Sequence, residues 1–457
     1  MNGISARDVV AFTDGYLLSG DIDTVFTGVS TDSRSIGPGE LFVALRGERF
    51  NGHAYVSQAL ERGAAGAVVM EEIPRAGGVI ISVEDSLQAL GDIAAGVRGR
   101  HDVAIVGVTG STGKTTVKEL CASILSLAGP CLKTEKNYNN LVGVPLTLLS
   151  LRPDHEFAVI EMGTNRFGEI DRLSSITRPL VSIITNINPV HLSGLRSISG
   201  IIREKQAIFR NTAKCGCAVI NPSLEYMDGV EIPPQLQRIT FSHTTKADIS
   251  LTGIRHRGLD GSDIDVDLAG KPIQVHVPLP GMHNVINALG ACACAVALNM
   301  DPEVIAEGIR TARFPGMRSE IVISDHLTII NDCYNANPAS MKAALSMLAE
   351  SPHTFKVAVL GDMLELGGDA AFWHEELGRW VAAFGIDRLV CIGEMADVVC
   401  SAAVAAGMAG RDVFRVHTKS EILHNLQDVF DKDAMVLVKA SRALELDQVV
   451  NQLKQVA

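Results

Sequence analysis

No run of apolar residues in this chain reaches membrane-spanning length: the longest, residues 288–298, falls well short of the roughly 20 that a membrane helix needs. Basic charge is short as well, with 40 Lys and Arg against 52 Asp and Glu and a net charge of −12. Tight binding to DNA or RNA draws on basic patches that release counterions, so this balance argues against a nucleic-acid partner. A small phosphorylated ligand, held by a few placed cations and backbone N–H groups, stays open. The nine cysteines are odd in number, and a chain of 457 residues has no need of covalent staples. The C-x-C pairs Cys215/Cys217 and Cys292/Cys294 lack His partners at zinc-finger spacing and are expected to pack as small buried hydrophobes. Residues 1–10 carry Arg7 and Asp8 without an apolar block, so no secretory signal is apparent, and a cytoplasmic monomer that is not membrane-embedded is expected. Low-complexity segments and fixed-period repeats are also missing.

What the chain does have is the composition of a globular protein, 47% hydrophobic and 20% charged, in a length that suits about three domains. Short strands and helices punctuated by glycine fill the first 83 residues, a small α/β unit. A helical spacing over 86–98 (Leu87, Leu90, Ile93, Ala94, Val97) leads to an apolar strand at 103–108. Strands at 157–160, 181–185 and 217–220 then alternate with helices at 115–127, 168–175 and 198–209, the pattern of βαβ units around a parallel sheet. Between 238 and 280 the period changes to two, with a turn at Asp260-Gly261, which suggests an antiparallel insertion. Phe314-Pro315-Gly316 reads as a hinge, after which βα alternation resumes. The expected fold is α/β in three domains: a small N-terminal α/β domain (1–84), a central parallel-sheet ATPase-like domain (85–314) and a C-terminal Rossmann-like domain (315–457).

The chemistry starts at Gly110-Ser111-Thr112-Gly113-Lys114-Thr115, with Thr116 following, between an apolar strand and a helix. A phosphate loop needs that context: successive N–H groups turn inward, the helix dipole favours an anion, the lysine reaches the β/γ-phosphates and the hydroxyl after it meets Mg²⁺. Val108 stands where the general pattern has its first glycine, so the loop is a shortened form. The strand Phe157-Ala158-Val159-Ile160-Glu161 delivers a carboxylate to the sheet's carboxyl edge, where open α/β sheets bind ligands and where a hard oxygen beside ATP phosphates suits Mg²⁺. The next strand runs into Asn186-Ile187-Asn188-Pro189-Val190-His191 and places a histidine at the same edge as a second cation contact. Lys205, in a charged helix, has no distinguishing local signal.

Together these residues resemble the Mur ligase family, a likeness spread over nearly the whole chain. It is carried by the phosphate loop, Asn137-Tyr138-Asn139-Asn140 with Gly143-Val144-Pro145, Glu161-Met162-Gly163, Thr185-Asn186-Ile187 with His191, and His283-Asn284 with Asn287. The resemblance implies an ATP- and Mg²⁺-dependent amide ligase that activates a carboxylate as an acyl phosphate. It implies that Lys205 is carbamylated and joins Thr115, Glu161 and His191 in holding Mg²⁺, that Asn284 and Asn287 contact adenine, and that Asn139 and Asn140 lie near a UDP-linked substrate.

The two ends narrow the likeness. Ser30-Thr31-Asp32-Ser33-Arg34, with Gly52-His53 further on, is similar to the uridine-nucleotide-binding region of the later-acting members. Asp332-Cys333-Tyr334-Asn335-Ala336-Asn337-Pro338 and Gly361-Asp362-Met363-Leu364-Glu365-Leu366-Gly367 are similar to members that add a dipeptide. From this likeness the partners are UDP-N-acetylmuramoyl-tripeptide and D-alanyl-D-alanine. Arg318 and Asp332 are implied to contact the nucleotide's phosphate and ribose, with Tyr334 beside the ribose and Asn335 near the dipeptide. Asn51 and Ala440 depart from the family's usual Asp and Gly. A motor or switch that hydrolyses ATP against water leaves residues 30–34 and 335–338 without a role, and another acceptor amine is the remaining alternative within the superfamily.

Overall fold

The structure is a computed structural model that describes residues 3–47, 50–73, 77–323, 327–429 and 433–456, so Met1 and Asn2 of the N-terminal stretch lie outside it. Its largest feature is a nine-stranded sheet built outward from Ala104–Thr109. That strand is flanked in parallel by Phe157–Glu161 on one side and Val181–Ile184 on the other. Both neighbours are apolar and buried on both faces, as parallel strands covered by helices must be. The register sets Glu161 opposite Val108 and Ile184 opposite Thr109, so the three strands release their chains side by side at one edge.

Beyond Val181–Ile184 the sheet continues through Cys217–Ile220 and Gln237–Ser242. The 238–280 segment corrects the expectation of an insertion. Ile249–His256 pairs in parallel with Gln237–Ser242, and Ser262–Leu268 and Lys271–Val277 add antiparallel strands to the same sheet. Their period of two arises because Ile264, Val266 and Leu268 face the core under helix Met282–Ala297 while the alternate residues stay more open. The turn at Asp260-Gly261 falls between the first pair, as expected. A single helix over 198–209 is also corrected. Ile198–Lys205 and Ala207–Arg210 are separated at Gln206, whose side-chain oxygen accepts the Glu231 N–H at 3.0 Å.

All nine cysteines are free thiols. Cys217, Cys292 and Cys294 pack with Cys121 in the core between the phosphate-loop helix, Lys114–Ser126, and Met282–Ala297. Cys215 does not: it is exposed in the turn before its strand, where no sheet neighbour covers it.

The first part of the chain forms a five-stranded sheet in which Val29–Ser30 is an edge strand beside Leu41–Val43. Helix Ser86–Arg98, capped by Asp85, joins this unit to the central one; Arg98 donates to the Thr177 carbonyl at 3.0 Å and Arg172 pairs with Asp92 at 2.7 Å. One hydrophobic core runs through both units, from Ile4 and Phe26 to Ile105, Leu148 and Ile170. The third unit is a six-stranded sheet ordered Glu320–Ile323, Thr328–Asn331, Ala434–Lys439, Phe355–Gly361, Arg388–Ile392, Val413–Val416, parallel apart from its first pair. No helix among the described residues is long and apolar enough to cross a membrane.

Candidate active site

The edge where three central strands end opens on a cavity of about 700 Å³, closed on its far side by the third unit. Ser111 through Thr116, Asn139, Asn140, Glu161, His191, Asn284 and Asn287 line it from the central unit, and Arg318, Asp332, Tyr334 and Asn335 from the third. Lys114, Glu161 and His191 therefore share one space.

Backbone demands shape the loop. Gly110 adopts φ +150°, and a Cβ there would lie 1.9 Å from the Thr185 hydroxyl. Gly113 adopts φ +75°, and a Cβ there would lie 2.3 Å from the Asn287 side-chain oxygen. A carbon cannot occupy either position, so glycine is required for close approach as well as for φ. The loop is pinned from the 185–188 segment: Thr185 Oγ1 donates to the Thr112 carbonyl at 2.6 Å, Thr112 N–H donates to Asn186 Oδ1 at 2.9 Å, and Ser111 N–H donates to the Asn186 carbonyl at 3.0 Å. The Asn188 N–H donates to Ser111 Oγ at 2.9 Å, so Asn186 and Asn188 both act as loop supports. Neither asparagine stands out in the sequence, where the segment shows only a strand running toward His191.

Thr115 Oγ1 donates to Glu161 Oε2 at 2.9 Å, and Asn139 Nδ2 donates to Glu161 Oε1 at 2.8 Å. Glu161 is 2% exposed, and its own N–H donates to Thr134 Oγ1 at 3.0 Å. Asn139 therefore orients this carboxylate, a contact the motif alone did not suggest. Lys114 Nζ donates to the Gly110 and Ser111 carbonyls at 2.9 and 3.3 Å, folded back over its own loop. Burial pushes its ammonium below the ordinary lysine value; Glu161 opposes that shift and Arg318 adds to it. Lys205 is 1% exposed, and its Nζ donates to the same Gly110 carbonyl at 2.9 Å. Burial, with the charge of Lys114 nearby, pushes the Lys205 amine well below its ordinary value.

On the third unit, strand register again does the positioning. Asn331 lies opposite Val438, so Asp332 and Lys439 leave their strands together, and Lys439 Nζ donates to Asp332 Oδ2 at 2.5 Å and to the Asn335 carbonyl at 3.0 Å. Asp332 Oδ1 also accepts the Ser319 N–H at 3.0 Å, and the Arg318 guanidinium lies 3.8 Å over the Tyr334 ring. Lys439 lines the cavity and is 2% exposed, a functional position not expected from the sequence. The signal was available: like Glu161, it is a charged residue ending an apolar strand. Lys439→Met leaves the Asp332 carboxylate largely buried without its cation, and breaking such a pair costs about 3–5 kcal/mol, so a melting temperature lower by roughly 10 °C is expected in thermal unfolding. An unchanged melting temperature would show that the pair does not hold this loop.

Residues 30–34 lie apart from the cavity. Asp32 and Arg34 pair with each other at 2.7 Å, Ser30 and Asp32 close a short turn, and the Ser33 hydroxyl donates to Gln58 Oε1 at 3.0 Å. Thr31 sits half-buried among them.

Comparison with known proteins agrees with this layout. Residues 108–295 match the family profile described as Mur ligase middle domain, residues 317–442 the one described as Mur ligase, glutamate ligase domain, and residues 25–98 the one described as Mur ligase family, catalytic domain. The UDP-N-acetylmuramoyl-tripeptide--D-alanyl-D-alanine ligase of Escherichia coli (strain K12) is 35% identical, with 100% of this chain and 99% of that protein aligned. A crystal structure of MurF from Acinetobacter baumannii superposes with a TM-score of 0.93 at 32% identity over 99% of both chains. MurF ligase from Thermotoga maritima, solved in complex with ADP, shares the fold at a TM-score of 0.84 and 24% identity, over 94% of this chain and 97% of that one. With identity of this level sustained from end to end, and with the phosphate loop, Glu161 and Asp332 facing one cavity, the chain belongs to the Mur ligase family.

Proposed function

We propose that the chain is an ATP-dependent amide ligase that joins D-alanyl-D-alanine to UDP-N-acetylmuramoyl-tripeptide in cytoplasmic peptidoglycan precursor synthesis. The observation that carries this reading is the single cavity shared by a phosphate loop, a buried strand-end carboxylate and the Arg318–Asn335 face of a separate sheet. A hydrolase needs only the first two; a ligase must also present an acceptor and keep water away. The full-length likeness to the Escherichia coli enzyme supports the choice of substrates.

Phosphoryl transfer is mostly positioning and charge neutralisation. The N–H groups of residues 113–115 at the start of helix Lys114–Ser126 receive the polyphosphate, those of Ser111 and Thr112 being held by Asn186, and Lys114 turns from its own carbonyls toward the β/γ-phosphates. The tripeptide's terminal carboxylate oxygen attacks the γ-phosphorus, ADP departs and an acyl phosphate forms. The dipeptide amine then attacks the acyl carbon, the amine loses its proton and inorganic phosphate leaves. No side chain serves as a covalent nucleophile. Asn284 and Asn287 are assigned to adenine, Arg318 and Asp332 to phosphate and ribose, Tyr334 to the ribose, and Asn335 to the dipeptide. Asn139 and Asn140 face the UDP-linked substrate, and residues 30–34 take its uridine end. Residues 1–84, 85–314 and 315–457 then act as substrate-, nucleotide- and acceptor-presenting units.

Mg²⁺ fits the donor set. A hydroxyl and a buried carboxylate stand 2.9 Å apart at the helix start, both hard oxygens, and no cluster of three or more His, Cys, Asp or Glu among the described residues forms a cage. Magnesium typically takes one or two protein carboxylates and fills its shell with phosphates and water, which is what Thr115 and Glu161 offer. When bound, it neutralises charge on the transferring phosphoryl group. His191 and Lys205 are assigned to a second ion. Lys205 as an ammonium repels a cation, whereas a carbamate formed from its amine and CO₂ would supply oxygen ligands, and burial, which lowers the basicity of this amine, favours that form.

The test is phosphate release from ATP with UDP-N-acetylmuramoyl-tripeptide, with and without D-alanyl-D-alanine. Release that requires both is expected. Equal release with water alone, or with any amine in place of the dipeptide, overturns the assignment.

A further inference from the structure

His191 faces the cavity, but one of its ring nitrogens is already taken from the other side. Nδ1 lies 2.5 Å from Oε2 of Glu365, a residue of the third unit 174 positions away in sequence. Glu365 does not line the cavity; it stands behind the imidazole. Its loop is held to the third sheet: the Met363 N–H donates to His374 Nε2 at 3.0 Å, the Leu364 N–H donates to Ser441 Oγ at 2.9 Å, and Met363 and Leu366 are buried in the core of that unit. Glu365 itself adopts φ +65° and His191 φ +53°, a left-handed conformation at both ends of the contact. Such backbone is costly for residues other than glycine, asparagine or aspartate, and persists when the surroundings enforce it. Next to the contact, Gly367 packs against the backbone of Leu192 and Ser193.

We propose that Glu365 is a positioning residue that latches the third unit onto the central one and, in doing so, fixes the imidazole of His191 for its role at the phosphate edge. The reason is hydrogen-bond inventory. An ionised carboxylate only accepts, so Nδ1 must carry the proton, and a neutral ring then presents Nε2 as a lone pair. A partner of this kind behind a ligating histidine sets its orientation, and removing one typically costs ten- to a hundredfold in affinity or activity. Because the partner comes from a different unit, the histidine is oriented only when the third unit is docked. Closure and readiness of the phosphate edge become one event, which keeps ATP from being committed before the acceptor-presenting surface has arrived. The Asp-Met-Leu-Glu segment noted in the sequence thereby acquires a role that no substrate contact gives it. This inference rests on the assignment of His191 as a cation contact.

The experiment uses the full chain and the variants Glu365→Ala, Glu365→Gln and His191→Ala. Glu365 has a half-exposed side chain, so its replacement leaves folding intact, checked by thermal unfolding. Two readouts are taken: compaction on adding Mg²⁺ and a non-hydrolysable ATP analogue, by small-angle scattering, and steady-state kinetics across a Mg²⁺ titration. For Glu365→Ala the expected result is loss of compaction and a fall in kcat of about tenfold or more, with KM for the UDP-linked substrate unchanged. Glu365→Gln keeps an acceptor oxygen and is expected to restore compaction and most of kcat. Compaction like that of the parent chain in Glu365→Ala overturns the latch, as does a failure of Glu365→Gln to rescue. If His191→Ala leaves the Mg²⁺ dependence untouched while Glu365→Ala still abolishes compaction, the latch stands and the cation assignment of His191 falls.

Discussion

Glu161→Gln is expected to lower dipeptide-dependent phosphate release by at least about a hundredfold while leaving the fold in place. Glutamine is nearly isosteric: its oxygen can still accept from Asn139, and its amide can meet the Thr115 hydroxyl. What disappears is the negative charge, buried where it can hold a hard cation against the phosphates and partly offset the ammonium of Lys114. In a water-poor site such a charge is worth far more than at the surface, and the phosphoryl step has little else to draw on. The affected quantity is kcat, since the role proposed for this carboxylate is at the phosphoryl transfer and residues 30–34 lie apart from the cavity it lines. Near-normal turnover in this variant, measured by coupled phosphate detection, would remove Glu161 from the mechanism. A large rise in KM for the UDP-linked substrate with kcat intact would reassign it to substrate binding.

Gly110→Ala is the second large effect. Its φ of +150° disfavours any side chain, and the new methyl meets the Thr185 hydroxyl at 1.9 Å, an oxygen already committed to the Thr112 carbonyl. Backbone strain of this kind costs about 1–3 kcal/mol. Relief has to come from moving the loop or the 185–188 segment, and Gly110's carbonyl is also where Lys114 and Lys205 both bind. A shift of even ~1 Å in such a site can cost roughly a hundredfold in rate, so a fall of about that size in dipeptide-dependent phosphate release is expected. Gly407→Ala is the control: its φ is +107° but nothing lies within 4 Å of the new carbon, so it bears strain without collision. A modest loss of stability with full activity is expected there. Parallel behaviour of the two variants would show that left-handed backbone alone, and not the contact with Thr185, governs the loop.

Local pattern carried the reading of the phosphate loop and of Glu161 because both belong to short apolar strands whose ends are marked by a change of residue type. The same rule applied to Ala434–Lys439 points to Lys439, but with no glycine loop beside it the charge looked like an ordinary strand end. Lys205 was silent for a related reason. Its helix reads as solvated because Arg203, Glu204 and Lys205 follow one another, yet Glu204 and Lys205 are 3% and 1% exposed. Glu204 accepts the N–H groups of Gly168 and Ile170 at 2.7 and 2.8 Å, and Lys205 meets Gly110. Charged residues almost never bury without partners, and those partners lie 34 to 95 positions away, beyond the reach of any local window. The 238–280 segment failed differently. Its alternation was read correctly as antiparallel pairing, but periodicity does not say which sheet a strand joins.

Taken alone, the sequence determined the α/β character, the place of the phosphate loop, the strand that ends in Glu161 and the likeness to the Mur ligases, because each is written in residues a few positions apart. The tertiary structure decided that Asn139 holds Glu161, that Lys439 ties Asp332 to the loop bearing Asn335, and that Glu365 reaches His191 from another unit. Those contacts depend on strand register and on the docking of separate cores, and both are set by packing between segments that share no local pattern.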